Sequence, residues 1–437
     1  MCKYTTNWAN FKKKIRNFAH SMEYNTTKLN NGLRIIHLPS ASPVVYCGYE
    51  INTGTAAEEA KEEGIAHFCE HATFKGTTRR NSIDIITCLE NVGGDLNAYT
   101  TKITTVYHST ILKEHFSLAV DLLSDIVFHS VYPQNEIDKE VEVICDEIES
   151  YNDSPAELIY DEFENLIFKG HPLGHSILGD AKTARSFTSA DAKRFTGKYY
   201  RPDNCVFFIY GDIDFDEAVA LLTKHTEDVS SAEKDGKKYT EDATATLFPI
   251  HSVYQPSNIT IHKKTHQAHV MLGTRGYSVH DERRIALYLL NNMLGGPGMS
   301  ARLNLSLREK NGLVYTVEST FAAFSTTGMW STYFGCDPQD VERCISLVRK
   351  ELNRFINTPL TDEEIAAAKR QIKGQIGIAC DSRESFALDF GKSFLHYGWE
   401  KDITNLFEQI DKITARDIQK VAKDLFAEEK LTTLIYK

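Results

Sequence analysis

The most constraining feature of this sequence is that its second half repeats its first. The strand-like run Ala268-His-Val-Met-Leu-Gly-Thr-Arg-Gly-Tyr-Ser278, a charged loop and the helix-like run Arg284-Ile-Ala-Leu-Tyr-Leu-Leu-Asn-Asn-Met-Leu294 echo Val44 to Thr55 and the helix that begins at Ile65. Ile285-Ala286 overlay Ile65-Ala66 at an offset of 220 residues, and Pro359 to Ile365 echo Pro133 to Ile137. At 437 residues the chain is too long for one ordinary core, and a duplicated order of strands and helices predicts two domains of similar fold. The predicted class is α+β, each domain a mixed, mostly antiparallel sheet with helices packed on one face. The expected division is a basic N-terminal extension 1–23, a first domain 24–225, a linker 226–258 rich in Ser, Lys, Asp, Glu and Gly, and a second domain 259–437.

The copies differ where chemistry would lie. In Gly64-Ile-Ala-His-Phe-Cys-Glu-His-Ala-Thr-Phe-Lys-Gly76, residues four apart share a helical face, so His67 and His71 can reach one metal ion with Glu70 beside them. Two neutral imidazoles, an open coordination position and a carboxylate against water suit a hydrolytic zinc site. His-x-x-Glu-His is also the spacing of the inverted zinc-peptidase signature. An amphipathic helix whose histidines satisfy core hydrogen bonds could carry the same spacing, so a third ligand has to decide. The helix from Asn135 to Glu149 carries Glu140 and Glu147 seven apart on one face, beside the apolar Val141, Val143, Ile144 and Ile148. Carboxylates on a largely buried helix need a cation or a partner. Glu147 is therefore the expected third ligand, and Glu140 an outer carboxylate able to orient a ligating histidine and grouped with Glu70 as catalytic. In the second copy the three helix positions are Leu287, Leu290 and Asn291, and those of Glu140 and Glu147 are Ala368 and Gln375. Loss of the whole set from one copy argues that it works as a unit.

Other stretches bound the function. A formal net charge of −11 argues against nucleic-acid or anionic-membrane binding, which need clustered Lys and Arg, and is compatible with peptides as substrates. No apolar run reaches the length of a membrane span. Nine scattered cysteines, none spaced Cys-x-x-Cys, predict reduced thiols and a cytoplasmic setting. The basic first 22 residues mildly resemble a transit peptide, which would mean an organellar matrix, although a plain basic extension fits better. Asp95 to His108, dense in Thr, Tyr and Val, reads as one strand at a sheet edge or lining a cavity. The acidic run Glu58 to Glu63 reads as a complement to the dipole of the following helix. His171 and His175 read as part of a Gly- and Pro-spaced turn. Gly295-Gly-Pro-Gly298 follows a helix, not a strand, and so fails as a phosphate loop.

Taken together these residues resemble the pitrilysin or insulinase family of zinc peptidases, and among them the short members related to mitochondrial processing peptidase, over nearly the whole chain from residue 24. In that family a Glu about 76 residues after the second His completes the site, and from His71 this count reaches Glu147. The family's Gly-Gly-x-x-Asn-Ala-x-Thr strand is matched by Gly93, Gly94, Asn97, Ala98 and Thr100. The resemblance implies that this strand binds extended peptide substrates by β-augmentation. Ile103 departs from the Glu that many relatives carry there. A further Arg and Tyr pair is matched by Arg308 and Tyr315, which without the resemblance read as a surface pair on a strand and turn. The implied function is a zinc endopeptidase holding one Zn²⁺ per chain and acting inside a closed chamber. The alternatives are a non-catalytic subunit like the core proteins of a respiratory complex, or a peptide-binding module. Long members close four such domains into the chamber, so a two-domain chain is expected to form a homodimer, each protomer supplying Arg308 and Tyr315 to the other's zinc site.

Overall fold

The computed structural model describes residues 23–229, 231, 254–263 and 265–437. The basic extension up to residue 22 and most of the expected linker 226–258 lie outside them. The chain forms two compact units, one from the described parts of Met1–Glu149, Ser176–Ala243 and Gly377–Thr404, the other from those of Ser150–His175, Thr244–Ile376 and Asn405–Lys437.

The first unit holds strands β1 (Asn25–Lys28), β2 (Arg34–Pro39), β3 (Val44–Ile51), β4 (Asp95–Thr100), β5 (Thr105–Leu112) and β6 (Cys205–Gly211), in the order β1-β2-β6-β3-β5-β4. β2 and β6 run parallel and every other pair is antiparallel. The second holds β7 (Asn258–Ile261), β8 (Ala268–Gly276), β9 (Val314–Ala323), β10 (Gly328–Cys336) and β11 (Thr432–Tyr436), in the order β7-β11-β8-β10-β9, with β7 and β11 parallel. Without β1 the two orders coincide strand for strand, which is the sequence repeat expressed as topology. Both units are α+β.

Alternation sets the faces. Val45, Cys47, Tyr49 and Ile51 of β3 point into one core, where they meet Phe68 of helix Ile65–Thr73 and Leu122, Leu123 and Ile126 of helix Phe116–His129. The opposite face is covered by helix Arg383–Tyr397, whose Phe390 ring sits 6.3 Å from those of Phe208 and Tyr210. Each fully buried Phe contributes roughly 1.5–3 kcal/mol, so Phe386 and Phe390 hold this helix firmly. In the second unit the corresponding cover is helix Pro155–Ile167: Tyr160 packs on Tyr333 at 5.0 Å, and a Cβ on Gly273 would come within 3.0 Å of the Phe163 ring. The main helical layer thus lies on one face of each sheet and one helix on the other. The linear division 24–225 and 259–437 differs from the units for this reason, since residues 150–175 belong to the second and 377–404 to the first.

Three local readings change. The stretch from Asp95 to His108 is two strands, because Thr101–Thr104 turns back on itself with Thr101 N–H donating to Thr104 O at 2.8 Å. The Thr101 hydroxyl accepts from the N–H groups of Ile103 and Thr104, so a threonine does what Gly or Asn usually signals, and Ile103 sits in this turn. Val143 is 52% exposed, turned off the face that Val141, Ile144 and Ile148 bury. Arg308 lies in a wide helical turn, Asn304–Glu309, rather than on a strand.

Candidate metal centre

Helix Ile65–Thr73 is fixed at its start. Gly64 adopts φ 94°, a left-handed conformation, and a Cβ there would meet Leu178 O at 2.7 Å, so glycine is required. The Glu58 carboxylate accepts from Gly64 N–H at 2.9 Å and Ala66 N–H at 2.8 Å, which satisfies orphan donors and opposes the positive helix end. That is the structural role of the acidic run before the motif.

On this helix the His67 and His71 rings lie 4.6 Å apart, and Cys69 is buried on the other side in the core. Helix Gln134–Asn152 brings Glu147 up to them: its Oε2 is 3.7 Å from His67 Nε2 and 3.3 Å from His71 Nε2. One donor atom from each of the three falls within 4.8 Å of the others, and this is the one such group found among the described residues. Donors bonded at ~2.0–2.2 Å to a tetrahedral ion are separated by about 3.3–3.6 Å. The spacing and the nitrogen and oxygen donors therefore fit a metal ion of that size, and the half-exposed Glu147 leaves one side of the group open.

The surroundings differ between the two histidines. His71 Nδ1 is 2.9 Å from Glu140 Oε1, and Glu140 Oε2 is 2.5 Å from Lys75 Nζ. This fixes the His71 ring with Nε2 toward Glu147. Glu140 sits behind His71, on the side of the ring away from Glu147. His67 Nδ1 has no hydrogen-bond partner among the described residues, and its ring is held by burial. Burial, then the neighbouring His71, lowers the pKa of His67 against the pull of Glu147. Burial works the same way on His71, but its hydrogen bonds to Glu140 and Glu147 outweigh it and raise that pKa to about 9. For Glu140, burial is overcome by hydrogen bonds from His71 and Lys75, and for Glu147 the hydrogen bond from His71 leads; both carboxylates are held below the usual range.

Glu70 stands beside this group. Its Oε2 accepts from the Thr100 hydroxyl at 2.6 Å. Burial raises its pKa, with the Thr100 hydrogen bond and His71 opposing and Glu147 adding to the rise. A buried carboxylate with raised proton affinity, beside a candidate metal-binding group, is suited to taking a proton from water.

Of the remaining expected residues, Asn97, Ala98 and Thr100 lie on β4, the terminal strand of its sheet. Ala98 packs against the core, Asn97 is exposed, and the Thr100 side chain is engaged by Glu70. Arg308 and Tyr315 belong to the second unit, where the guanidinium lies 5.5 Å from the centre of a Tyr315 ring that is 80% exposed. His171 Nδ1 accepts from Leu173 N–H at 3.2 Å, as a turn residue does. In the second copy, Asn291 at the position of His71 accepts from Ser319 at 2.6 Å and from the Trp330 indole at 3.1 Å. Leu287 and Leu290 are fully buried there. The metal-type positions have become ordinary core. Lys75 and the Thr100 hydroxyl contact the site without having been singled out for these roles. Only Lys75, one helical turn beyond His71, carried a sequence cue.

Comparison with known proteins agrees with this fold. Residues 35–181 match the family described as Insulinase (Peptidase family M16), and residues 186–372 match its companion, the Peptidase M16 inactive domain. The chain belongs to this family, in its short two-domain form. It is 32% identical over 407 residues to the uncharacterized zinc protease YmxG of Bacillus subtilis, covering 93% of this chain and 96% of that one. It is likewise 32% identical to the uncharacterized zinc protease SCO5738 of Streptomyces coelicolor, covering 94% and 88%. Among solved structures, a protease from Helicobacter pylori superimposes with a TM-score of 0.87 at 22% identity, over 95% of this chain and 100% of that one. A Pseudomonas fluorescens structure described as a peptidase M16 inactive domain gives 0.84 at 19% identity, over 95% and 98%. These two likenesses concern the fold. No helix of the described residues is long and apolar enough to cross a membrane.

Proposed function

We propose that this protein is a zinc endopeptidase acting on extended peptides or unfolded segments. The observation that carries the reading is the convergence of His67, His71 and Glu147, one donor atom of each within 4.8 Å of the others, with the buried Glu70 alongside. His67, His71 and Glu147 would hold the ion, which when bound supplies a Lewis acid that acidifies water and polarises a carbonyl. Glu140 keeps the His71 Nδ1 proton, which leaves Nε2 to face the ion. Glu70 takes the proton of the attacking water and delivers it to the leaving amine. The open edge of β4 offers backbone groups to a peptide strand, so sequence tolerance comes from main-chain pairing and selection from side-chain pockets. Relatives named zinc proteases support the metal assignment. The test is a mass-spectrometric cleavage map on a mixed peptide library, with and without chelator. Cleavage that survives complete removal of zinc would contradict the proposal.

The proposal extends to assembly. Arg308 and Tyr315, stacked and exposed on the second unit, would complete the zinc site of a second copy in a homodimer, as the resemblance to four-domain members implies. Mixing inactive Glu70→Gln with inactive Arg308→Ala/Tyr315→Phe protein should then restore one working site per mixed dimer. No recovery despite demonstrated subunit exchange would rule the homodimer arrangement out.

A further inference from the structure

We infer that Thr100 is a positioning residue that ties the pairing of a peptide on the β4 edge to the orientation of Glu70. The inference rests on the peptidase reading above and deepens it. Thr100 is the last residue of β4 and lies opposite Thr105. Because Thr101 N–H bonds to Thr104 O, the alternation of an antiparallel ladder puts the preceding pair, Thr100 and Thr105, in the non-hydrogen-bonded register. The N–H and C=O of Thr100 therefore turn toward the outer edge, where β4 has no neighbouring strand among the described residues.

The side chain of the same residue leaves the face of the sheet and reaches the base. Its hydroxyl donates to Glu70 Oε2 at 2.6 Å, the short length of a hydrogen bond to a carboxylate. With that oxygen tethered, the other is the one left for water. Both ends of the tether are anchored. Glu58 fixes the start of the Glu70 helix, and the turn after Thr100 is clamped by Thr55 N–H on Thr101 O at 3.2 Å and Ala56 N–H on Lys102 O at 2.8 Å. A peptide strand that adds to this edge uses the backbone of the residue whose hydroxyl aims the base. Substrate register and base orientation are thereby set together.

The experiment compares Thr100→Val, which keeps the shape and removes the donor, with Thr100→Ser, which keeps the donor. On the zinc-loaded protein with an unstructured peptide, Thr100→Val should lower kcat about 10- to 100-fold, the scale of a small misplacement of a reacting group. Its KM should stay within about threefold, and zinc content should be unchanged. Thr100→Ser should stay within about threefold of wild type in both parameters. Crystal structures of the two variants give a readout independent of activity: Glu70 should keep its orientation in Thr100→Ser and turn or split in Thr100→Val. A raised KM with unchanged kcat would make Thr100 a plain substrate contact and overturn the inference, as would an unmoved Glu70 in Thr100→Val. Wild-type protein that holds zinc and cleaves nothing would refute the peptidase reading instead, and the Glu70 orientation in the two variants then decides the positioning role alone.

Discussion

Removing the Glu140 carboxylate should change how the metal site competes with protons. Without metal, His71 titrates at about 9, because hydrogen bonds to Glu140 and Glu147 outweigh the burial that opposes its charge. At pH 7 the ring is protonated, and a metal ion must displace the Nε2 proton. Glu140 and Glu147 are held below the usual carboxylate range and stay ionised at neutral pH, so His71 is the group that sets the pH dependence there. Apparent zinc affinity should then rise about tenfold per pH unit, roughly 100-fold or about 2.7 kcal/mol from pH 6.5 to 8.5. Glu140→Gln removes the larger of the two hydrogen bonds that stabilise the positive charge of the ring, the one on Nδ1. The His71 pKa should fall toward the ordinary imidazole range, and the affinity curve should flatten above about pH 7. The variant should also bind roughly 10- to 100-fold more weakly at pH 8.5, because the ring loses its charged anchor. Competition against a chromophoric chelator at three pH values measures both effects, and calorimetry in buffers of different ionisation enthalpy counts the released proton. A wild-type affinity that is flat over this range, or a variant with the wild-type slope, would refute the reasoning.

Two further substitutions test the structure away from the metal. Asn291→Leu should destabilise the protein by about 1–3 kcal/mol, since the buried Trp330 indole loses its acceptor and the Ser319 hydroxyl keeps only the longer bond to Ser331 O; thermal unfolding measures it, and a neutral effect would mean that the Asn is dispensable. Glu50, fully buried on β3 against Gly391, has its pKa raised well above the carboxylate range by burial, with Lys392 opposing. A raised folded-state pKa means that its stabilising contribution is complete at acid pH and lost as pH rises. Glu50→Gln should therefore gain more in melting temperature at pH 8 than at pH 5, and an equal gain at both would contradict a protonated Glu50.

What the sequence made legible was local or repeated. His67 and His71 share a face because the helical period is fixed, and Glu147 stood out by lying seven residues from Glu140, on one face beside the apolar Val141, Ile144 and Ile148. The strand order of the second unit follows from the first by duplication. Two kinds of feature were not legible. Amphipathic spacing shows that helices 155–167 and 383–397 have a buried face but not which sheet receives it, and each covers the sheet of the other half of the chain. The turn at Thr101–Thr104 carries no Gly, Pro or Asn, so the hairpin read as one strand. With the strand unbroken, the position of Thr100 beside Glu70 could not be foreseen, and Thr100 was read as a substrate contact.

In the proposed mechanism Glu70 is the proton acceptor beside a zinc ion that His67, His71 and Glu147 would hold. The most direct measurement is zinc content and peptide cleavage determined in parallel on wild-type and Glu70→Gln protein. About one zinc per chain is expected in both, with cleavage in the wild type and a loss of at least about 100-fold in the variant. Substantial cleavage by zinc-loaded Glu70→Gln protein would contradict this mechanism.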